Sequence, residues 1–174
     1  MSQPYSAALP ITNVVLRALI VLNWLYGAAI FALLVALPTN EWILSALGVP
    51  ASSPDARPLI LGLHAVAVVG LAAVPLNYVV LRRLLAIVET VRAGDPFVVA
   101  NANRLQVIAW ALLALQLLSL VVGAIAEAVS TPERPLDLDA GFSINGWLAV
   151  LLTFVLARVF AKGTRMRDDL EGTV

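Results

Sequence analysis

Four long apolar stretches dominate the chain, and they occupy residues 11–37, 59–81, 105–128 and 146–160. Each stretch is close to the ~20 apolar residues that a helix needs to cross a lipid bilayer. Continuous runs of Leu, Ala and Val lack the alternation that is typical of barrel strands, so helices are the expected spanning elements. The pattern predicts an all-α fold, an integral membrane four-helix bundle in which residues 1–174 form a single transmembrane domain.

The second apolar stretch continues without a helix breaker as far as Gly94, so we expect the second helix to extend beyond the lipid. Its extension has an apolar face that water would penalise. The face consists of Leu84, Leu85, Ile87, Val88 and Val91. The third helix, the C-terminal tail or another protein could cover it, and we predict it as a face for a partner. Residues 94–97 have the composition of a turn, and Asn101 or Asn103 is expected to cap the third helix.

The basic residues determine the predicted orientation. Of the 11 Lys and Arg residues, only Arg57 and Arg134 lie on the side of the membrane opposite the N-terminus. The others are Arg17, Arg82, Arg83, Arg92, Arg104, Arg158, Lys162, Arg165 and Arg167. Because basic residues collect on the cytoplasmic side, the N- and C-termini and the extension of the second helix are predicted to be cytoplasmic. The first outer loop is expected to contain a short interfacial helix around Trp42. The N-terminus does not resemble a signal peptide, so we expect the first span to remain in the mature protein.

Composition excludes several classes of function. Hydrophobic residues make up 61% of the chain, above the ~45–50% of soluble domains, so no separate soluble domain is expected. The chain has no cysteine and a single histidine, so neither a metal nor another cofactor is predicted. There is no Ser/His/Asp set, phosphate-binding glycine loop or dinucleotide motif at recognisable spacing, and we do not expect an enzyme.

Polar side chains within the spans are the first candidate site. Such groups are costly in hydrocarbon and tend to face the interior of a bundle. Asn23, His64, Asn77 and Gln116 are therefore predicted to form an intramembrane polar pocket, together with Gln106, Ser119 and Thr153. The alternative is that each side chain only bonds a neighbouring helix. Gly27, Gly62, Gly70 and Gly123 are predicted to be helix-packing positions.

A cytoplasmic cap is the second candidate site, because charges from three segments converge at the inner ends of the helices. Its predicted members are Arg82, Arg83, Asn101, Arg104, Arg158, Arg165, Arg167 and Glu171. Two simpler explanations remain for the basic residues: Arg158 snorkels to the headgroups, or the basic side binds anionic lipid.

Two stretches resemble a known family. The first is Gly94-Asp95-Pro96-Phe97 followed by Asn101, Arg104-Leu105, Ile108 and Trp110, and the second runs from residue 160 to residue 174. They resemble the signature stretches of a bacterial four-span family known as domain of unknown function 2975 (DUF2975). The resemblance implies a multi-pass protein of the bacterial cytoplasmic (inner) membrane. Members are often encoded beside a small helix-turn-helix regulator, which implies a DNA-binding regulator as a cytoplasmic protein partner, without direct contact to nucleic acid.

Two classes of function follow. In the first, the chain is a membrane-embedded regulatory or interaction protein whose cap holds the partner and whose spans sense the bilayer or a lipophilic ligand. The alternative is a subunit of a small oligomeric transporter or channel, with Asn23, Asn77 and Gln116 along its path. The scarcity of charge within the spans argues against transport. Membrane lipid is an expected partner in both cases, and both are compatible with a homo-oligomer.

Overall fold

The computed structural model describes residues 5–36, 56–130 and 140–171, with side chains described for residues 10–35, 56–130 and 140–166. The described residues form four α-helices in chain order: α1 (Tyr5–Ala36), α2 (Ala56–Arg92), α3 (Val99–Val129) and α4 (Ile144–Glu171). The predicted all-α fold is confirmed. The short helix predicted around Trp42 lies outside the described residues.

All four helices are long and apolar enough to cross a membrane, over Pro10–Val35, Ala56–Arg92, Val99–Val129 and Ile144–Met166. They contain the four predicted apolar stretches to within one residue. Large apolar side chains remain exposed along them, and only 6% of the spanning window of α1 is buried. Water would penalise such a surface, whereas hydrocarbon does not. The chain is therefore a multi-pass membrane protein with four packed helices.

Helix α2 is longer than a bilayer crossing requires. Its 37 residues correspond to about 55 Å, against ~30 Å of hydrocarbon. The helix ends at the predicted glycine, because Gly94 has a φ of 86°, a conformation that other residues rarely adopt. The amide of Gly94 donates to the carbonyl of Val91, and the amide of Asp95 donates to that of Thr90, both at 3.1 Å. This pair of bonds is a Schellman motif, which satisfies carbonyls at the end of a helix.

The helices contribute to two compact units. Unit 1 contains Met1–Asn23, Leu76–Leu115 and Ile144–Val174, and unit 2 contains Trp24–Pro75 and Gln116–Ser143. The core of unit 1 is a buried cluster of Leu105, Ile108 and Ala157. Partly buried side chains pack around this cluster, namely Val80, Leu84, Ile87, Leu112 and Phe160.

Glycines allow close approaches within unit 2. A Cβ atom on Gly62 would lie 2.6 Å from Val129, and one on Gly27 would lie 3.0 Å from Val74. A Cβ atom on Gly70 would lie at an ordinary contact distance, 3.4 Å from Ile30. The distances at Gly62 and Gly27 confirm the prediction that these two glycines are helix-packing positions, whereas the distance at Gly70 does not require a glycine.

The closest approach to backbone is at Gly123 of α3. A Cβ atom there would lie 2.7 Å from the Cα of Gly141, in the segment that leads into α4. Ser119, one turn earlier on α3, fixes the same residue: its Oγ accepts from the amide of Gly141 at 3.2 Å and donates to its carbonyl at 3.3 Å. Gly123 and Ser119 thus form one small, polar contact surface for this segment.

Candidate functional site: the Asn101 network and the α3–α4 groove

Asn101 is a fully buried polar residue in the first turn of α3, with 0% of its surface exposed. Its Nδ2 donates to Oγ1 of Thr90 at 2.7 Å and to the carbonyl oxygen of Pro96 at 2.9 Å. The side-chain amide of Asn101 thus donates one hydrogen bond to α2 and one to the turn between α2 and α3. The prediction that Asn101 or Asn103 caps α3 is wrong, because the helix begins at Val99 and the amide of Asn101 donates to groups outside it.

Arg104 completes the set of bonds around this amide. Its Nη1 donates to Oδ1 of Asn101 at 2.7 Å and to the carbonyl oxygen of Ala86 in α2 at 3.1 Å. The hydroxyl of Thr90 in turn donates to the carbonyl of Ile87 at 2.7 Å. We call Ala86, Thr90, Pro96, Asn101 and Arg104 the Asn101 network. A satisfied buried network of this kind holds its elements in one arrangement.

A groove of about 430 Å³ lies between α3 and α4 in unit 1, and we call it the α3–α4 groove. It is lined by Ala102, Asn103, Gln106 and Trp110 of α3 and by Phe154, Ala157, Arg158, Ala161 and Arg165 of α4. On each helix the long side chains recur every three, four or seven residues, which places them on one face. The rings of Trp110 and Phe154 meet edge to face, with centroids 5.2 Å apart and planes at 87°.

The described lining residues of the groove carry a net positive charge. Arg158 and Arg165 line it seven residues apart on α4, which is about two helical turns. No carboxylate is among the lining residues that the structure describes. Within the part of the chain that the structure describes, no hydrogen bond or ion pair occupies either guanidinium group. The groove can therefore attract an anion that fits its volume of about 430 Å³.

The structure brings the predicted cap residues together in pairs. Asn101 and Arg104 are joined directly, and Arg158 and Arg165 share the α3–α4 groove. The remaining two on α2 are separate from both: Arg82 donates to the Tyr78 hydroxyl at 3.1 Å and lies over the same ring, while Arg83 is exposed. The side chains of Arg167 and Glu171, the last predicted members, lie outside the described residues.

The predicted partner face on α2 is covered in part by the protein itself. Leu84 and Ile87 pack against the buried cluster of unit 1. Leu85, Val88 and Val91 are half-buried. Two of the five side chains thus have an internal packing role, and the prediction of a partner rests on the other three.

The predicted intramembrane pocket is divided between the two units. In unit 2, Nδ1 of His64 lies 2.8 Å from the carbonyl oxygen of Ile60 in its own helix, and Gln116 is buried. The Nε2 atom of Gln116 has no hydrogen-bond partner among the described residues. In unit 1, Asn23 is half-buried, whereas Asn77 is exposed and does not occupy the predicted interior position. No group of three His, Cys, Asp or Glu side chains in the described part of the chain could hold a metal ion.

Sequence reasoning missed one polar and two aromatic side chains of these sites. Thr90 belongs to the Asn101 network, and Trp110 and Phe154 form the aromatic end of the groove. Their spacing in the sequence could have indicated two of them, because Trp110 is seven residues after Asn103 and Phe154 is four residues before Arg158. That spacing predicts shared helix faces, but it does not show which faces meet.

Comparisons with known proteins add the family. A search of curated proteins found no match, and neither did a search of solved structures. The sequence profile of a family described as "Protein of unknown function (DUF2975)" matches residues 42–174, which include the Asn101 network and the α3–α4 groove. The match covers most of the chain and confirms the resemblance carried by the two signature stretches. The chain therefore belongs to the DUF2975 family.

Proposed function

We propose that this chain is a membrane-embedded regulatory protein that holds a soluble protein partner at the cytoplasmic ends of its helices and acts by binding, not by catalysis. Both termini are cytoplasmic in this proposal, and the membrane is the bacterial inner membrane. The strong asymmetry of Lys and Arg supports this orientation. The partner is a small helix-turn-helix regulator, as the family resemblance implies.

The Asn101 network is the observation that carries the proposal. It joins the last turns of α2 to the connecting turn and to the start of α3 through four hydrogen bonds of 2.7–3.1 Å. These groups lie at the charged end of helices that are otherwise apolar. A binding surface loses less entropy on association when it is already rigid. The network supplies that rigidity at the end of the protein where a soluble partner has access.

Exposed side chains around the network provide the contacts of the proposed surface. Phe97 and Val99, in the turn and at the start of α3, are 46% and 57% exposed. Arg83 is an exposed charge on α2, and Leu85 and Val88 of the same helix are half-buried. An apolar centre beside charged residues is the usual composition of a protein interface.

Co-purification tests this proposal. The tagged protein is cross-linked in native membranes and purified, and a stoichiometric helix-turn-helix protein is expected with it. The variant Leu85→Asp with Val88→Asp is expected to lose the partner while the isolated protein keeps its melting temperature. Leu84→Asp is the matched control, because Leu84 packs in the core of unit 1 and its replacement is expected to destabilise the fold.

A second variant keeps the test decisive if the double variant does not fold. Arg83→Glu reverses an exposed charge and leaves packing unchanged, so weaker recovery of the partner would reflect binding alone. Full recovery with both variants, or purification of the folded protein without a regulator, would refute the proposal.

Transport remains the second candidate because of Gln116. Its buried amide nitrogen lies near the middle of α3 without a hydrogen-bond partner among the described residues, as a group that contacts a passing or bound ligand would. The same feature is consistent with the sensing of a lipophilic ligand. Flux of small solutes into liposomes that contain only this protein, abolished by Gln116→Leu, would favour transport; no flux would favour the regulatory function.

A further inference from the structure

The α3–α4 groove changes from basic to aromatic along its length. Arg158 and Arg165 line it from α4, and Asn103 and Gln106 line it from α3. Trp110 lies about one turn beyond Gln106, toward the apolar middle of α3. The groove is thus polar toward the start of α3 and the end of α4 and aromatic at Trp110, which is the polarity of a lipid.

We propose that the α3–α4 groove binds one anionic phospholipid. The guanidinium groups of Arg158 and Arg165 hold the phosphate, and the amide groups of Asn103 and Gln106 donate to the headgroup. The glycerol and the first part of an acyl chain lie along Trp110. This site is independent of the protein partner proposed above.

Charge is the first argument for this ligand. Two guanidinium groups line the groove, and among the described residues no carboxylate lines it and no side chain neutralises them. A guanidinium fork matches the geometry of phosphate oxygens and can donate two parallel hydrogen bonds.

Accessibility is the second argument, and it favours a lipid over a soluble ligand. Trp110 is 57% exposed, and the neighbouring face of α4 exposes Leu151 and Val155 by 61% and 51%. Trp110 lies 11 residues into α3, or about 16 Å from its start at Val99. A lipid reaches this depth by lateral diffusion in the bilayer, whereas a soluble protein or a free anion reaches only the basic end.

Fluorescence quenching tests the proposal in the full chain. The variant Trp24→Phe, Trp42→Phe, Trp147→Phe keeps Trp110 as its single tryptophan. Brominated phosphatidylglycerol and brominated phosphatidylcholine are titrated separately into its detergent micelles. We expect the anionic lipid to half-quench Trp110 at a roughly thirty-fold lower mole fraction, because each arginine near an anionic headgroup contributes roughly five-fold.

Two double variants separate the groove from general surface charge. Arg158→Gln with Arg165→Gln is expected to abolish the preference for phosphatidylglycerol. Arg82→Gln with Arg83→Gln removes the same charge from α2, outside the groove, and is expected to retain it. If the first double variant does not fold, Arg165→Gln alone, at an exposed position, is expected to reduce the preference roughly five-fold.

Three results would overturn the proposal. Equal quenching by the two lipids would show that the groove does not select a phosphate-bearing anion, and equal loss of preference in both double variants would assign the effect to total charge. Competition by millimolar inorganic phosphate would identify a site for a free anion. Shielding of Trp110 from both lipids would show that another polypeptide, such as a second copy of the chain, covers the groove.

Discussion

Replacement of Asn101 by alanine is expected to destabilise the protein more than any other polar substitution at this end of the helices. The change removes three hydrogen bonds: two donated by Nδ2, to Thr90 and Pro96, and one accepted by Oδ1 from Arg104. A typical intramolecular hydrogen bond contributes about 1 kcal/mol net, so the loss of three corresponds to about 3 kcal/mol.

The hydrogen bonds that remain around the substituted position change this energy only modestly. Arg104 still donates to the carbonyl of Ala86, and Thr90 still donates to that of Ile87, so neither is left without a partner. The carbonyl of Pro96 loses the amide of Asn101. We therefore expect a decrease in the free energy of unfolding of about 2–4 kcal/mol.

The assay is unfolding in detergent micelles, followed by circular dichroism during titration with a denaturing detergent. Asn103→Ala is the matched control, because Asn103 lies two residues further along α3 and is exposed. Its replacement is expected to change the free energy by less than ~0.5 kcal/mol. Equal effects of the two substitutions would refute a structural role for the Asn101 network.

A double-mutant cycle attributes the effect to specific bonds. Thr90→Val removes the hydroxyl that accepts from Asn101 at 2.7 Å. In a protein that already carries Asn101→Ala, this second change has less to remove, so we expect a coupling energy of about 1 kcal/mol. Strict additivity would show that the two side chains do not interact in the folded protein.

Three further predictions concern single positions and topology. Thr90→Val alone is expected to lower the free energy of unfolding by about 1–2 kcal/mol, and Thr153→Val by less than ~0.5 kcal/mol, because the Thr153 hydroxyl only bonds a carbonyl of its own helix. Similar costs for the two variants would contradict the role of Thr90 in the Asn101 network. Gly123→Ala is expected to lower the melting temperature clearly, because the new Cβ would lie 2.7 Å from a backbone Cα, whereas Gly70→Ala is expected to be tolerated, because its Cβ would lie 3.4 Å from a side chain. A larger loss of melting temperature from Gly70→Ala than from Gly123→Ala would contradict the packing in unit 2. A reporter fused after the last residue is expected to read cytoplasmic, and one inserted between α3 and α4 external, from the bias of basic residues; an external C-terminus would refute the proposed orientation.

Local sequence was sufficient wherever a feature depended on neighbouring residues. The four helices follow from the length and hydrophobicity of the apolar stretches, because backbone groups in hydrocarbon can be satisfied within a helix. The end of α2 follows from Gly94, because glycine accepts a positive φ at little cost. The apolar face on the last turns of α2 was also evident, together with the requirement that something must cover it.

Tertiary packing decided how these features are used. In the sequence, Asn101 is a residue type that often caps helices. The packing of α2 beside α3 instead brings Thr90, 11 residues earlier, within 2.7 Å of Asn101, and Asn101 becomes the centre of a buried network. Leu84 and Ile87 pack internally because α3 and α4 supply Leu105, Ile108 and Ala157 against them. The α3–α4 groove likewise exists only because the face of α4 that carries Arg158 lies beside the face of α3 that carries Trp110. Helical periodicity determines which residues share a face, whereas the choice of facing partner depends on shape and close packing between segments distant in sequence.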